Sequence, residues 1–205
     1  MPKKCCLKFS KAGTQTIRAF LDNFKAANAH KKSIHLVGHS TGGVLLAHFL
    51  EAFRKLGPNQ PIGTCSLLAP ACTMALFNSH YQPCLGATSG KFGIKKMTIY
   101  NLTDELERDD QVAQIYRKSL LYLVCNAFEE TQGEAILGMQ KFSKEMKNTS
   151  VLETVYSNGQ TGGATKTASE THGGFDNDPY TMNDILRNVL GRNPGRPFTE
   201  EDLKY

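Results

Sequence analysis

The sequence predicts an α/β fold in which a parallel sheet is covered by helices on both faces. Short apolar runs bounded by turn residues recur at 34–37, 64–69, 97–102 and 151–157, as expected of strands buried on both sides. Between them, apolar residues repeat at helical spacing, the pattern of helices lying on such a sheet. A chain of 205 residues, 40% apolar and 21% charged, is long enough for one domain with a real core. No stretch has the length and apolarity of a membrane span, and no signal-peptide pattern is present. The six cysteines therefore read as reduced thiols of a soluble, cytoplasmic protein.

Taken in order, residues 1–15, with Lys3-Lys4-Cys5-Cys6 and Lys8, read as a poorly ordered leader outside the domain. Residues 16–29 place Ile17, Phe20, Leu21 and Phe24 on one helical face. Residues 34–37 are the first strand, and from Val44 the period becomes helical up to Leu56, where Gly57-Pro58 stops it. Residues 64–69 form a second strand ended by Pro70, and the glycine- and aromatic-containing stretch of about 72–96 reads as a small cap. Residues 97–102 give a third strand, 110–130 a long helix carrying Leu120, Leu121, Leu123 and Val124, and 151–157 a fourth strand. The Gly/Thr/Ser-rich residues 158–169 read as a mobile loop delivering Glu170, Thr171 and His172. Residues 179–190 close the chain as a helix with Asp178 as N-cap and Pro179 in first position.

The net charge of +5 is spread in isolated pairs such as Lys3-Lys4, Lys31-Lys32 and Lys95-Lys96, without interleaved aromatics. That argues against nucleic acid as a partner. Cys5-Cys6, Cys65, Cys72, Cys84 and Cys125 lack metal-ligand spacing, so neither metal nor cofactor is expected.

Gly38-His39-Ser40-Thr41-Gly42 fits GxSxG between a strand and a helix, the context of a nucleophile elbow. An abrupt turn of this kind strains the serine backbone and projects its hydroxyl, and side chains at 38 and 42 would collide with neighbouring elements. The Thr41 N–H, at the positive end of the next helix, is the first oxyanion donor. A phosphate cradle is the competing reading, but the spacing matches neither GxGxxG nor GxxxxGK[ST] and no lysine adjoins the turn.

Ser40 needs a base. His39 is expected to point away from the hydroxyl, His30, His35 and His48 to be core or surface residues, and His80 to lie in the cap. His172 alone follows the last strand, in a glycine-flanked loop, and is the candidate base. The acid should follow the third strand, where Asp104, Glu105, Glu107, Asp109 and Asp110 all compete. Asp109 is the first choice, Asp104 the second and Asp110 the third.

These stretches, with Leu67-Leu68-Ala69-Pro70-Ala71 and the Thr171-His172-Gly173-Gly174-Phe175-Asp176-Asn177-Asp178 segment, resemble the α/β-hydrolase superfamily. The likeness is to a bacterial-type serine esterase or lipase-like branch, over about residues 16–203. The resemblance implies the order serine, acid, histidine, which Ser40, Asp109 and His172 keep, and a small ester or lipid-like substrate. Such folds carry several strands before the elbow, and the loop after one of them donates the second oxyanion N–H. Here a single helix precedes the elbow strand, so the chain reads as N-terminally truncated. A missing N-terminal half or homo-oligomerisation would complete its sheet. Loss of one oxyanion donor costs about 10² to 10³ in turnover, which makes activity of the isolated chain weak. Met74, Leu76, Phe77, Tyr81 and Phe92 would then either line an acyl pocket or cover the sheet. The alternative function is a non-catalytic interaction module that keeps the elbow as a structural turn.

Overall fold

A computed structural model describes residues 11–26, 32–57, 59–87, 90–111 and 116–204. The readings made for residues 1–10, His30, Lys31 and Pro58 lie outside the described residues. Strands β1 (Ile34–His39), β2 (Ile62–Leu68), β3 (Ile94–Leu102) and β4 (Leu152–Ser157) form one sheet in the order β1-β2-β3-β4. All neighbouring pairs are parallel. The register places Leu36 beside Cys65, Cys65 beside Met97 and Met97 beside Leu152, an apolar row crossing the whole sheet.

Strand side chains alternate between faces, and each face has its own core. Helices α1 (Lys11–Ala26) and α2 (Gly42–Leu56) bring Ile17, Leu21, Ala47, Leu50 and Phe53 onto the Leu36–Met97 side. On the other side, Leu68, Tyr100 and Leu102 pack against Leu121, Phe175 and Ile185. Leu121 lies on α5 (Leu120–Leu123), and Ile185 on α7 (Pro179–Leu190). Between these come the short α3 (Met74–Leu76), α4 (Asp104–Asp109) and α6 (Gln140–Ser143). Among the described residues β1 pairs only with β2, so the strand leading to Ser40 is the sheet edge. No described helix is long and apolar enough to cross a membrane.

Three expectations change. First, α1 begins at Lys11, so residues 11–15 belong to the helix and not to a leader. Second, 110–130 is not one helix: α4 occupies Asp104–Asp109 and Asp110 leaves it extended, with ψ 158°. Asp104 and Glu105 in the first turn of α4 complement its positive end, so the helix starts before Asp110. Helix resumes at α5, which runs into a π-helical turn at Val124–Phe128. Third, the presumed cap is core. Residues 94–96 belong to β3, and α3 continues through a π-helical turn at Phe77–Tyr81 whose Phe77 and Tyr81 are buried. Met74, Leu76 and Phe92 pack against the same cluster. The Tyr81 hydroxyl donates to the Gly43 carbonyl at 2.6 Å, tying the turn to the start of α2. These side chains pack against α2, and Leu76 also borders a cavity of about 780 Å³ beside it.

Candidate active site

The turn after β1 is fixed by main-chain bonds. Ser40 N–H donates to Leu68 O at 2.9 Å, while Ser40 O accepts from Gly43 N at 3.0 Å and Ala71 N at 2.9 Å. To meet all three, Ser40 adopts φ 53°, a left-handed conformation costing about 1–3 kcal/mol that only a well-determined surrounding maintains. A Cβ on Gly38 would sit 2.7 Å from Leu46 Cδ1 and 3.0 Å from the Gly42 carbonyl carbon. Gly42 differs from expectation: a Cβ there meets nothing within 4 Å. The crowded second glycine is Gly43, whose Cβ would lie 2.8 Å from Pro70 Cβ. Thr41 takes the N-cap position of α2 without a side-chain capping bond, and its N–H makes no main-chain hydrogen bond among the described residues.

His172 Nε2 lies 2.9 Å from Ser40 Oγ. The histidine is buried at 6% exposure, not swinging on a mobile loop. Its own segment is clamped from both ends. Ser157 Oγ donates to Ser169 O at 2.7 Å, and Asp178 Oδ2 accepts from Ala168 N at 2.7 Å, Thr181 N at 3.1 Å and Thr181 Oγ1 at 2.6 Å. Asp178 thus caps α7, as its position before Pro179 predicts, and also anchors the loop carrying the base.

Burial, and after it the neighbouring His39, push the His172 pKa down to about 4. The imidazole is therefore neutral at physiological pH and able to accept a proton. His39 does not point away from the site. Its Nε2 donates to His172 O at 2.8 Å, its ring lies 5.4 Å from that of His172, and its Nδ1 is 3.9 Å from Asp176 Oδ2. The sequence reading missed this positioning role; its signal was the acidic residue four places after His172.

The carboxylate that meets His172 is Asp110, not Asp109. Asp110 Oδ2 accepts from the His172 main-chain N–H at 2.8 Å, and its Oδ1 from Gln111 N at 2.8 Å. Asp109 is exposed on the rim of a cleft of about 460 Å³ that opens beside Asp110 and Thr171. Asp104 is engaged elsewhere, by Arg108 at 2.7 Å and Tyr122 Oη at 2.8 Å. Extended backbone after α4 carries Asp110 toward the histidine loop, which a helix starting at 110 would not have done. His172 Nδ1 is buried without a hydrogen-bond partner among the described residues. When Ser40 donates to Nε2 the ring proton sits on Nδ1, so that buried N–H awaits an acceptor.

Cys65, Cys72, Cys84 and Cys125 are buried and unbridged. Burial pushes the Cys65 and Cys72 thiols up to about 12, which removes them as nucleophiles. No protein-family model, curated protein or solved structure matches the chain.

Proposed function

We propose that the chain is a serine hydrolase of the α/β-hydrolase type that transfers an acyl group from a carboxylic ester to water. The observation that carries the proposal is a strained Ser40 whose Oγ lies 2.9 Å from Nε2 of a buried histidine, neutral because its pKa is held near 4. Ser40 Oγ attacks the ester carbonyl and its proton passes to His172 Nε2. The Thr41 N–H binds the oxyanion of the tetrahedral intermediate. Collapse expels the alcohol, which takes the proton from His172; a water then repeats the sequence on the acyl-enzyme and releases the acid and Ser40.

Asp110 is the acid. Already on the His172 amide, it reaches the orphaned Nδ1–H by reorienting its carboxylate, so stabilising the imidazolium formed in each half-reaction. A non-catalytic interaction module is the second reading, and the unpartnered Nδ1 of His172 is the observation that favours it. Hydrolysis of a p-nitrophenyl ester series separates the two. The expected result is turnover that Ser40→Ala and His172→Ala each reduce at least about 10³-fold; turnover unaffected by Ser40→Ala contradicts the proposal.

A further inference from the structure

On the outer side of α2, away from Ser40, His48 and Glu51 stand one turn apart on the same helical face. The π-helical turn brings His80 to them. Each residue offers one ligand atom, and the three atoms lie within 4.8 Å of one another. They border a cavity of about 780 Å³. His80 Nε2 faces Glu51 Oε2 at 3.7 Å, and the His48 and His80 rings meet edge to face at 5.3 Å.

Hydrogen bonding fixes what these atoms are. Ser79 Oγ donates its single proton within reach of Ala75 O at 2.8 Å and Leu76 O at 3.1 Å, both of which only accept. Ser79 Oγ also lies 2.8 Å from His80 Nδ1. With the hydroxyl proton given to a carbonyl, Nδ1 is the donor to Ser79 Oγ, and the lone pair of His80 is then on Nε2, facing the carboxylate. Lys55 Nζ holds the other carboxylate oxygen, Oε1, at 2.8 Å, leaving Oε2 toward His80. Two imidazoles and a carboxylate thus converge on one point. At 3.7 Å the His80–Glu51 contact is too long for a hydrogen bond, and a cation among the three would draw them together.

We propose that His48, Glu51 and His80 bind a divalent transition metal, zinc by preference, with the fourth position open to the cavity. Two histidines and one glutamate are a recognised zinc set, and the Ser79–Nδ1 contact is the outer-shell bond that orients a metal-binding imidazole. Ligand distances of about 2.0–2.1 Å in a tetrahedron require donors about 3.3 Å apart, so closure takes side-chain shifts of about 1 Å. The metal would staple the π-helical turn to α2, the helix whose first turn builds the elbow.

The test is zinc titration of chelator-treated full-length protein against a chromogenic competitor, with cobalt absorption as the geometric readout. The expected result is one ion per chain and an intense tetrahedral cobalt spectrum. His48→Ala and His80→Ala should each weaken binding at least about 100-fold, and the exposed Ser79→Ala about 10-fold or more. Each variant should retain the wild-type circular dichroism. His172→Gln should leave binding unchanged, since the His39–His172 pair lies elsewhere. Binding that survives His80→Ala, binding lost in His172→Gln instead, or folded wild-type protein that takes up no stoichiometric zinc overturns the proposal.

Discussion

At Ser40 the chain accepts a left-handed φ of 53°, and three main-chain hydrogen bonds hold it there. His172 meets the hydroxyl because its amide and carbonyl are both occupied, by Asp110 and by His39. The base is placed through its backbone as much as through its ring. This makes the two adjacent aspartates separable by experiment. Asp110→Asn, which removes the carboxylate proposed to reach the imidazolium, should lower kcat for ester hydrolysis about 10²–10⁴-fold, by analogy with other serine triads. Asp109→Asn, on an exposed rim, should stay within about 3-fold of wild type. Equal losses in the two variants would remove Asp110 from the mechanism.

The elbow sets the element scale, where β1 must reverse into α2 within a few residues. Gly38→Ala drives a Cβ against Leu46 and the Gly42 main chain and should cost about 1–3 kcal/mol in urea unfolding. Gly42→Ala meets open space and should fall within about 1 kcal/mol of wild type, on the stabilising side. Strands and end helices were legible in the sequence because their signals are local. Buried apolar runs marked β1 to β4, and Asp178-Pro179 marked the start of α7. Two segments were not legible for reasons equally physical. The acidic residues Asp104, Glu105 and Glu107 look like a loop but form the first turn of α4. Residues 158–169 look mobile by composition, yet their end is fixed by bonds to Ser157 and Asp178, partners that no periodicity reveals. That Ser40 and His172 would meet could be expected from motif and order; the bond between Asp110 and His172 depends on where α4 ends.

For the whole molecule, two cores on opposite faces of one sheet leave little room for charge, and of the buried carboxylates Glu107, Asp178 and Asp184, Glu107 lies deepest. It is fully buried, accepts from Ser119 Oγ, and has one carboxyl oxygen without a partner among the described residues. Burial, and after it the charges of Asp110 and Asp104, raise its pKa from 4.5 to about 8 against the opposing Ser119 bond. The sign follows from proton binding. Between those two values the unfolded chain has released a proton that the folded protein keeps, so this group's contribution to stability falls as pH rises. Glu107→Gln keeps the neutral shape and removes that slope. It should gain on wild type steadily from pH 4.5 to about 8, by an amount on the order of 4–5 kcal/mol. A constant difference between the two unfolding curves would contradict the assignment.

The proposed reaction rests on Ser40. Incubation of the folded chain with a fluorophosphonate, followed by peptide mass mapping, tests that most directly. The expected result is a single adduct on Ser40 that is absent in Ser40→Ala and much slower to form in His172→Ala. A demonstrably folded protein that takes up no label, or that carries its label on another residue, would contradict it.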